Sequence, residues 1–381
     1  MKKRTLVRKL LKAGALGVVL AIAGFLAAAS GLIPITASSG HWDITAWFLH
    51  FTMKRSVATH TLGMDAPALD EPWLVLKGAG HYDIGCRPCH GGPGLQQPRI
   101  ARAMTPHPPY LTPQLASWDA AELFYIVKHG VKFTGMPAWP SQQRDDEVWA
   151  MVAFLLELPN LDAETYRRLV HGDAPPAGSV ALLPDLLGSP DVPYAVTASC
   201  APCHGTHGQG RGLGAFPRLA GQRRAYFLGA MQAYARGERH SGIMEPIAAG
   251  LSPDEQREVA DYYSSLPAGP TTESGPSDAA PAIERGMEIA MRGIPSQGVP
   301  SCMDCHGPGP SPRNPAYPTL AGQYGDYLVL QLELFKTGRR GGTPYAHLMS
   351  HVAPRLSPDQ MRDVALYYAS LSVLEHPQAR E

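Results

Sequence analysis

Cys86-Arg87-Pro88-Cys89-His90, Cys200-Ala201-Pro202-Cys203-His204 and Cys302-Met303-Asp304-Cys305-His306 decide the reading of this 381-residue chain, because together they use all six of its cysteines. In each pentad two thiols stand one helical turn apart, and a histidine follows the second at once. That spacing is the attachment signature of c-type haem: two thioether bonds fix one porphyrin edge while the adjacent imidazole reaches the iron. A redox dithiol needs one Cys-x-x-Cys on a βαβ unit, and a zinc ribbon needs two pairs sharing a metal. Neither accounts for a histidine in the same place three times. The sequence therefore predicts three covalently bound haem c groups, attached through Cys86, Cys89, Cys200, Cys203, Cys302 and Cys305. His90, His204 and His306 are the expected proximal ligands, and no cysteine is left for a disulfide.

The sixth iron position decides between electron transfer, which suits a filled site, and catalysis or small-ligand binding, which needs an open one. A methionine lies at a matched distance after each pentad: Met136 46 residues after His90, Met244 40 after His204, and Met349 43 after His306. A thioether sulfur is a soft ligand that favours ferrous iron and raises the reduction potential. Met136, Met244 and Met349 are thus the expected sixth ligands, with His347 and His351 as competitors of Met349. Met104, Met231, Met287 and Met291 read as core or surface residues.

Working outward, the composition holds 44% apolar residues, enough for several cores, while 39 Gly and 37 Pro point to short helices separated by irregular loops. Six basic and no acidic residues fall in the first twelve positions, leaving 27 basic against 33 acidic groups beyond. A mildly acidic body without a basic stripe excludes nucleic acid as a partner class. Phe216-Pro-Arg-Leu-Ala-Gly-Gln222 matches Tyr317-Pro-Thr-Leu-Ala-Gly-Gln323, and Leu251-Ser-Pro-Asp254 matches Leu356-Ser-Pro-Asp359, a tandem repeat of about 100 residues. Each Ser-Pro start has the pattern of a capping box, from Ser252 to Glu255 and from Ser357 to Gln360.

On these motifs, residues about 190 to 375 resemble the two-haem cytochrome c of the c-four type, in which two class I cytochrome c domains pack as a pair and shuttle electrons to a terminal oxidase. The resemblance implies that Pro217 and Pro318 each offer a carbonyl to Nδ1 of the proximal histidine. It also places Gln222, Tyr226, Gln323 and Tyr327 in segments lining the haem edge. The first unit looks like a more distant class I domain, whose carbonyl partner stays open among Pro98, Pro106, Pro108 and Pro109. Its closing helix carries Val148, Val152, Leu155 and Leu156 at spacings that predict a buried face.

The expected architecture is mainly α: three tandem class I cytochrome c domains (70–160, 191–266 and 282–375) behind an N-terminal transmembrane or signal segment (1–35). Residues 161–190 and 267–281 read as linkers by composition. From Ala13 to Trp42 there is no charged acid or base, and the 23 residues through Ile35 suffice to span a bilayer. Ala27-Ala28-Ala29 offers a cleavage site instead. Residues 41–59, with Ile44, Trp47, Phe48 and Phe51 on one face, read as a helix lying at the membrane interface.

The functional expectation is a non-enzymatic, membrane-attached relay on the periplasmic side of a bacterial inner membrane, passing electrons toward a terminal oxidase. The alternative is a cytochrome subunit fed by a membrane-bound dehydrogenase, as in three-haem subunits of alcohol or gluconate dehydrogenases. A haem peroxidase is a weaker reading, because all three units supply a methionine. The expected partners are the membrane and redox proteins, with no small-molecule substrate.

Overall fold

The computed structural model describes residues 2–33, 35–172, 192–268, 279–307 and 313–371. Among these residues helices and loops make up the whole fold, apart from isolated bridges joining Gly92 to Leu95 and Ile294 to Val299. Helix α1 (Lys2–Ala29) contains an apolar stretch, Leu6–Ala29, of 24 residues, long enough to cross a membrane. The expected span 13–35 is thus shifted toward the N-terminus. The helix stops where Ser30 Oγ turns back to the Ala27 carbonyl and Gly31 takes φ 73°, a left-handed value that ends helices.

Helix α2 (Asp43–His60) leaves Ile44, Trp47, Phe48 and Phe51 exposed along its first half. Its second half docks on the first haem unit through buried Val57 and a His60–Tyr125 ring stack at 5.2 Å.

In the first unit, α3 (Pro72–Gly85), α4 (Ala120–His129) and α5 (Asp145–Glu157) surround the pentad. Helices α3 and α5 cross so closely at Gly78 that an added Cβ would collide with the Ala150 carbonyl. Helix α4 starts on a capping box between Asp119 and Glu122, and Phe124 stacks on Trp149 of α5 at 4.2 Å. Val148, Val152 and Leu155 are buried as expected, whereas Leu156 is 41% exposed. The burial reaches instead through Ala150, Met151 and Phe154, because α5 is covered by α3 on one side and α4 on the other. The linker expected over 161–190 begins with a helix, α6 (Ala163–His171), capped by Asp162 and burying Tyr166 and Val170 against the first core. Its stripe of two apolar contacts was too short to show as periodicity. The rest of that linker from 173, and 269–278 of the second, lie outside the described residues.

The second unit has α7 (Arg224–Ala235), α8 (Met244–Ala249) and α9 (Pro253–Ser265). The third has α10 (Ala280–Arg292), α11 (Gly325–Lys336), α12 (Ala346–Val352) and α13 (Pro358–Ser370). Both expected capping boxes form, Ser252 with Glu255 and Ser357 with Gln360. The crossing of α10 and α13 repeats that of α3 and α5: a Cβ on Gly286 would collide with the Asp363 carbonyl. The second and third units meet by reciprocal side-chain grips. Gln222 bonds both backbone groups of Thr319 (2.8 and 3.1 Å), and Gln323 bonds both of Arg218 (2.9 and 3.0 Å). Since these positions match in the repeat, the contact is pseudo-twofold.

Candidate haem centres

The pentads form one-turn helices, Arg87–His90, Ala201–His204 and Met303–His306, each ended by a glycine at φ 70 to 75° (Gly91, Gly205, Gly307). A side chain there would strain the backbone just where the chain must turn away beneath the imidazole. Two buried tyrosines hold these turns: Tyr82 donates to the Gly91 carbonyl (2.8 Å) and Tyr263 to that of Gly205 (2.9 Å).

Each histidine is fixed by one bond. Nδ1 lies 2.8 Å from the Pro109 carbonyl for His90, 3.0 Å from Pro217 for His204 and 3.0 Å from Pro318 for His306. A carbonyl only accepts, so Nδ1 carries the proton and Nε2 presents its lone pair. Burial lowers the proton affinity of all three imidazoles, which favours the neutral, ligating form. The thiols are shielded as well: burial pushes Cys86 and Cys200 up to about 12 and Cys203 and Cys302 up to about 11. Such thiols are poor thiolates, unlike those of a redox dithiol.

In the second and third units one continuous cavity of about 600 Å³ is lined by Cys200, Cys203, His204 and Met244 on one side and Cys302, Cys305, His306 and Met349 on the other. Its wall is mostly apolar, with Phe227, Met231, Leu328 and Val364 among the lining residues. Arg239, 5% exposed, reaches only the hydroxyls of Tyr226 (3.5 Å) and Tyr327 (3.4 Å) and the Tyr234 ring face. Among the described residues no carboxylate pairs with it. Burial alone would push the Tyr226 hydroxyl up, but Arg239 and Arg340 pull it below its ordinary value. A buried cation facing an apolar cavity, beside two thiols and a prepared imidazole, fits a porphyrin bearing two propionates. When bound, haem would supply the one-electron iron couple, and the thiols, imidazoles and apolar wall would hold it away from water.

The structure brings Met244 and Met349 to the cavity that holds His204 and His306, with His351 also on its wall and His347 packed toward Tyr345 at 6.5 Å. Met349 lies inside α12, whereas Met244 begins α8. Met136 sits half-buried in a loop pinned by its own N–H to Thr134 Oγ1 (3.0 Å) and by Trp139 N–H to the Lys128 carbonyl (2.9 Å). Gln222 and Gln323 prove to be interface residues that line the same cavity.

The first unit walls the second site, a contact with no signal in the sequence. Trp73, Lys77 and His81 of α3 line its cavity, Leu76 packs with Cys203 and Phe216, and a Cβ on Gly80 would lie 2.7 Å from the Phe216 ring. Contacts between domains follow no period along the chain, so only residue-level geometry exposes them.

Comparison with known proteins agrees in two segments. Residues 74–155 match the model of cytochrome c oxidase, cbb3-type, subunit III, and residues 283–372 match that of cytochrome c. A thiosulfate dehydrogenase electron acceptor of Stutzerimonas stutzeri is 37% identical over 180 residues, 47% of this chain and 82% of the relative. Cytochrome c4 of Thiocapsa roseopersicina is 32% identical over 175 residues, 45% of this chain and 87% of the relative. Among solved structures, a thiosulfate dehydrogenase of Marichromatium purpuratum is 38% identical with a TM-score of 0.41, covering 45% of this chain and 36% of that one.

Proposed function

Since this chain is an electron-transfer cytochrome c that belongs, through its two-haem portion, to the cytochrome c4 family, we propose that it is a membrane-attached relay of three haems passing electrons toward a terminal oxidase. The observation that carries the reading is the threefold recurrence of a pentad whose histidine is tied to a proline carbonyl at 2.8 to 3.0 Å. Cys86, Cys89, Cys200, Cys203, Cys302 and Cys305 hold the three groups. His90 with Met136, His204 with Met244, and His306 with Met349 supply the axial atoms. A thioether opposite an imidazole suits a carrier at the oxidising end of a chain.

Units one, two and three adjoin in chain order: α3 covers Cys203, which is 7% exposed, and the second and third sites share a cavity. Partners are left the surfaces around the half-buried Cys89 and Cys305. The match of residues 74–155 to an oxidase-subunit model supports oxidase-facing work for the first unit. Helix α1 anchors the chain, α2 lays its exposed aromatic half along the lipid, and the haems face the periplasm, where c-type haem is attached. Confinement near partners raises their effective concentration without strong surface charge. A mature N-terminus near Ser30, read by mass spectrometry, would remove the anchor.

A second reading, an acceptor subunit for a dehydrogenase, is favoured by the relative described as a thiosulfate dehydrogenase electron acceptor. Mixing the reduced, solubilised protein with membranes containing a terminal oxidase separates the two. Rapid, cyanide-sensitive oxidation supports the relay; no oxidation, together with fast reduction by a purified thiosulfate dehydrogenase, supports the second.

A further inference from the structure

Glu147, in the first turn of α5, is 3% exposed and lies between its own unit and the second. Its Oε1 accepts from the Ser241 hydroxyl (2.7 Å) and pairs with Arg144 (3.0 Å). Its Oε2 accepts from the Gly242 N–H (2.6 Å) and from Trp139 Nε1 (3.2 Å). Four donors satisfy the carboxylate, which is how a buried charge is tolerated.

The Ser241 hydroxyl has one proton, and it is given to Glu147. Its lone pairs therefore face the N–H groups of Met244 (3.0 Å) and Ile243 (3.3 Å). Gly242 lies flat on the Trp139 indole, where a Cβ would collide with Nε1. Arg144 adds a bond to the His240 carbonyl (2.6 Å). The first unit thus grips every residue from His240 to Gly242 and, through one hydroxyl, the backbone of Met244. Trp139 itself stands three residues after Met136, so the two methionine loops meet face to face.

We propose that Glu147 is a positioning residue for the second site, seating Met244 opposite His204 through Ser241, so that docking of the first unit sets the axial bond of its neighbour. This rests on Met244 being the sixth ligand. The third unit lacks the device: the residue three before Met349 is Ala346, which has no hydroxyl, and helix α12 positions Met349 instead.

The test uses the full-length, three-haem protein and five variants: Glu147→Gln, Ser241→Ala, the double change of both, Met244→Ala and Arg211→Ala. Arg211 bonds the carbonyls of Val170 (2.6 Å) and Arg168 (2.9 Å) across the same interface. The readouts are the far-red absorption of methionine-ligated ferric haem, the midpoint potentials, and hydrogen exchange over residues 241–250. E147Q and S241A each weaken the far-red band, lower one potential of the three, and speed exchange over 241–250 roughly tenfold, the loss of one buried charge-assisted bond. The double variant does no more than either alone, and R211A leaves the far-red band and the exchange over 241–250 unchanged. Unchanged band, potentials and exchange in E147Q, or a weakened band with faster exchange over 241–250 in R211A, overturn the positioning role. If M244A keeps the full band, the ligand reading fails instead, which is a separate result.

Discussion

His90 donates to the Pro109 carbonyl, while the neighbouring Pro108 oxygen accepts from Gln97 Nε2 at 2.8 Å. Four prolines within twelve positions made that partner illegible in the sequence, whereas the resemblance to the two-haem family implied Pro217 and Pro318. Ligand types follow the same logic. A pentad announces its cysteines and histidine by spacing alone, but a methionine ligand shows only through its match across units. Replacing Met136, Met244 or Met349 singly by Ala is expected to lower that haem's potential and open its iron to carbon monoxide. Haem bound per chain stays at three, because the thioethers are untouched. Redox titration with carbon monoxide difference spectra checks this. A Met349→Ala protein with an unaltered third haem would move the ligand to His351, which shares the cavity wall.

Helices in this chain are legible where a cap or a long apolar stripe marks them, as at Ser252 and Ser357, and illegible where contact supplies the order, as in α6. The α10–α13 crossing depends on one missing side chain. Gly286→Ala forces a Cβ into the Asp363 carbonyl and is expected to destabilise the third unit by about 3 kcal/mol, an overpacking cost, seen as an earlier denaturant transition of the pair that contains it. Helix α3 carries a second sensitivity. Burial, with Lys77 and Arg144 close by, holds His81 well below its ordinary 6.5, and Asp146 opposes this only in part. The fold prefers His81 neutral. Its contribution is complete above pH 6.5 and is lost as pH falls toward the lowered value, where protonation must occur beside two cations. Melting at pH 5 is therefore expected several degrees below that at pH 7.5. His81→Gln narrows the gap, and an equal gap in both proteins would remove His81 as its cause.

At the scale of the whole molecule, the second unit meets each of the others, and Arg339 of the third reaches Asp145 of the first at 3.8 Å. Between the second and third, Gln222 and Gln323 make four backbone bonds around a pseudo-twofold axis. The double change Gln222→Ala, Gln323→Ala is expected to weaken the pair by about 4 kcal/mol, roughly 1 kcal/mol per bond, and to separate its unfolding into two transitions. The repeat made this pair legible. The interface between the first and second units is not written in any repeat, since Glu147 reads as an ordinary acidic residue at a helix start. Yet that interface sets the first unit against the second site, and neighbouring iron sites, each filled, are what the proposed relay requires. Electron paramagnetic resonance of the oxidised, solubilised protein, followed by reduction under carbon monoxide, tests that claim most directly. The account predicts low-spin signals from all three haems and no carbon monoxide bound by the unaltered protein. A high-spin signal, or carbon monoxide on any one of the irons, would mean an open site and contradict the relay.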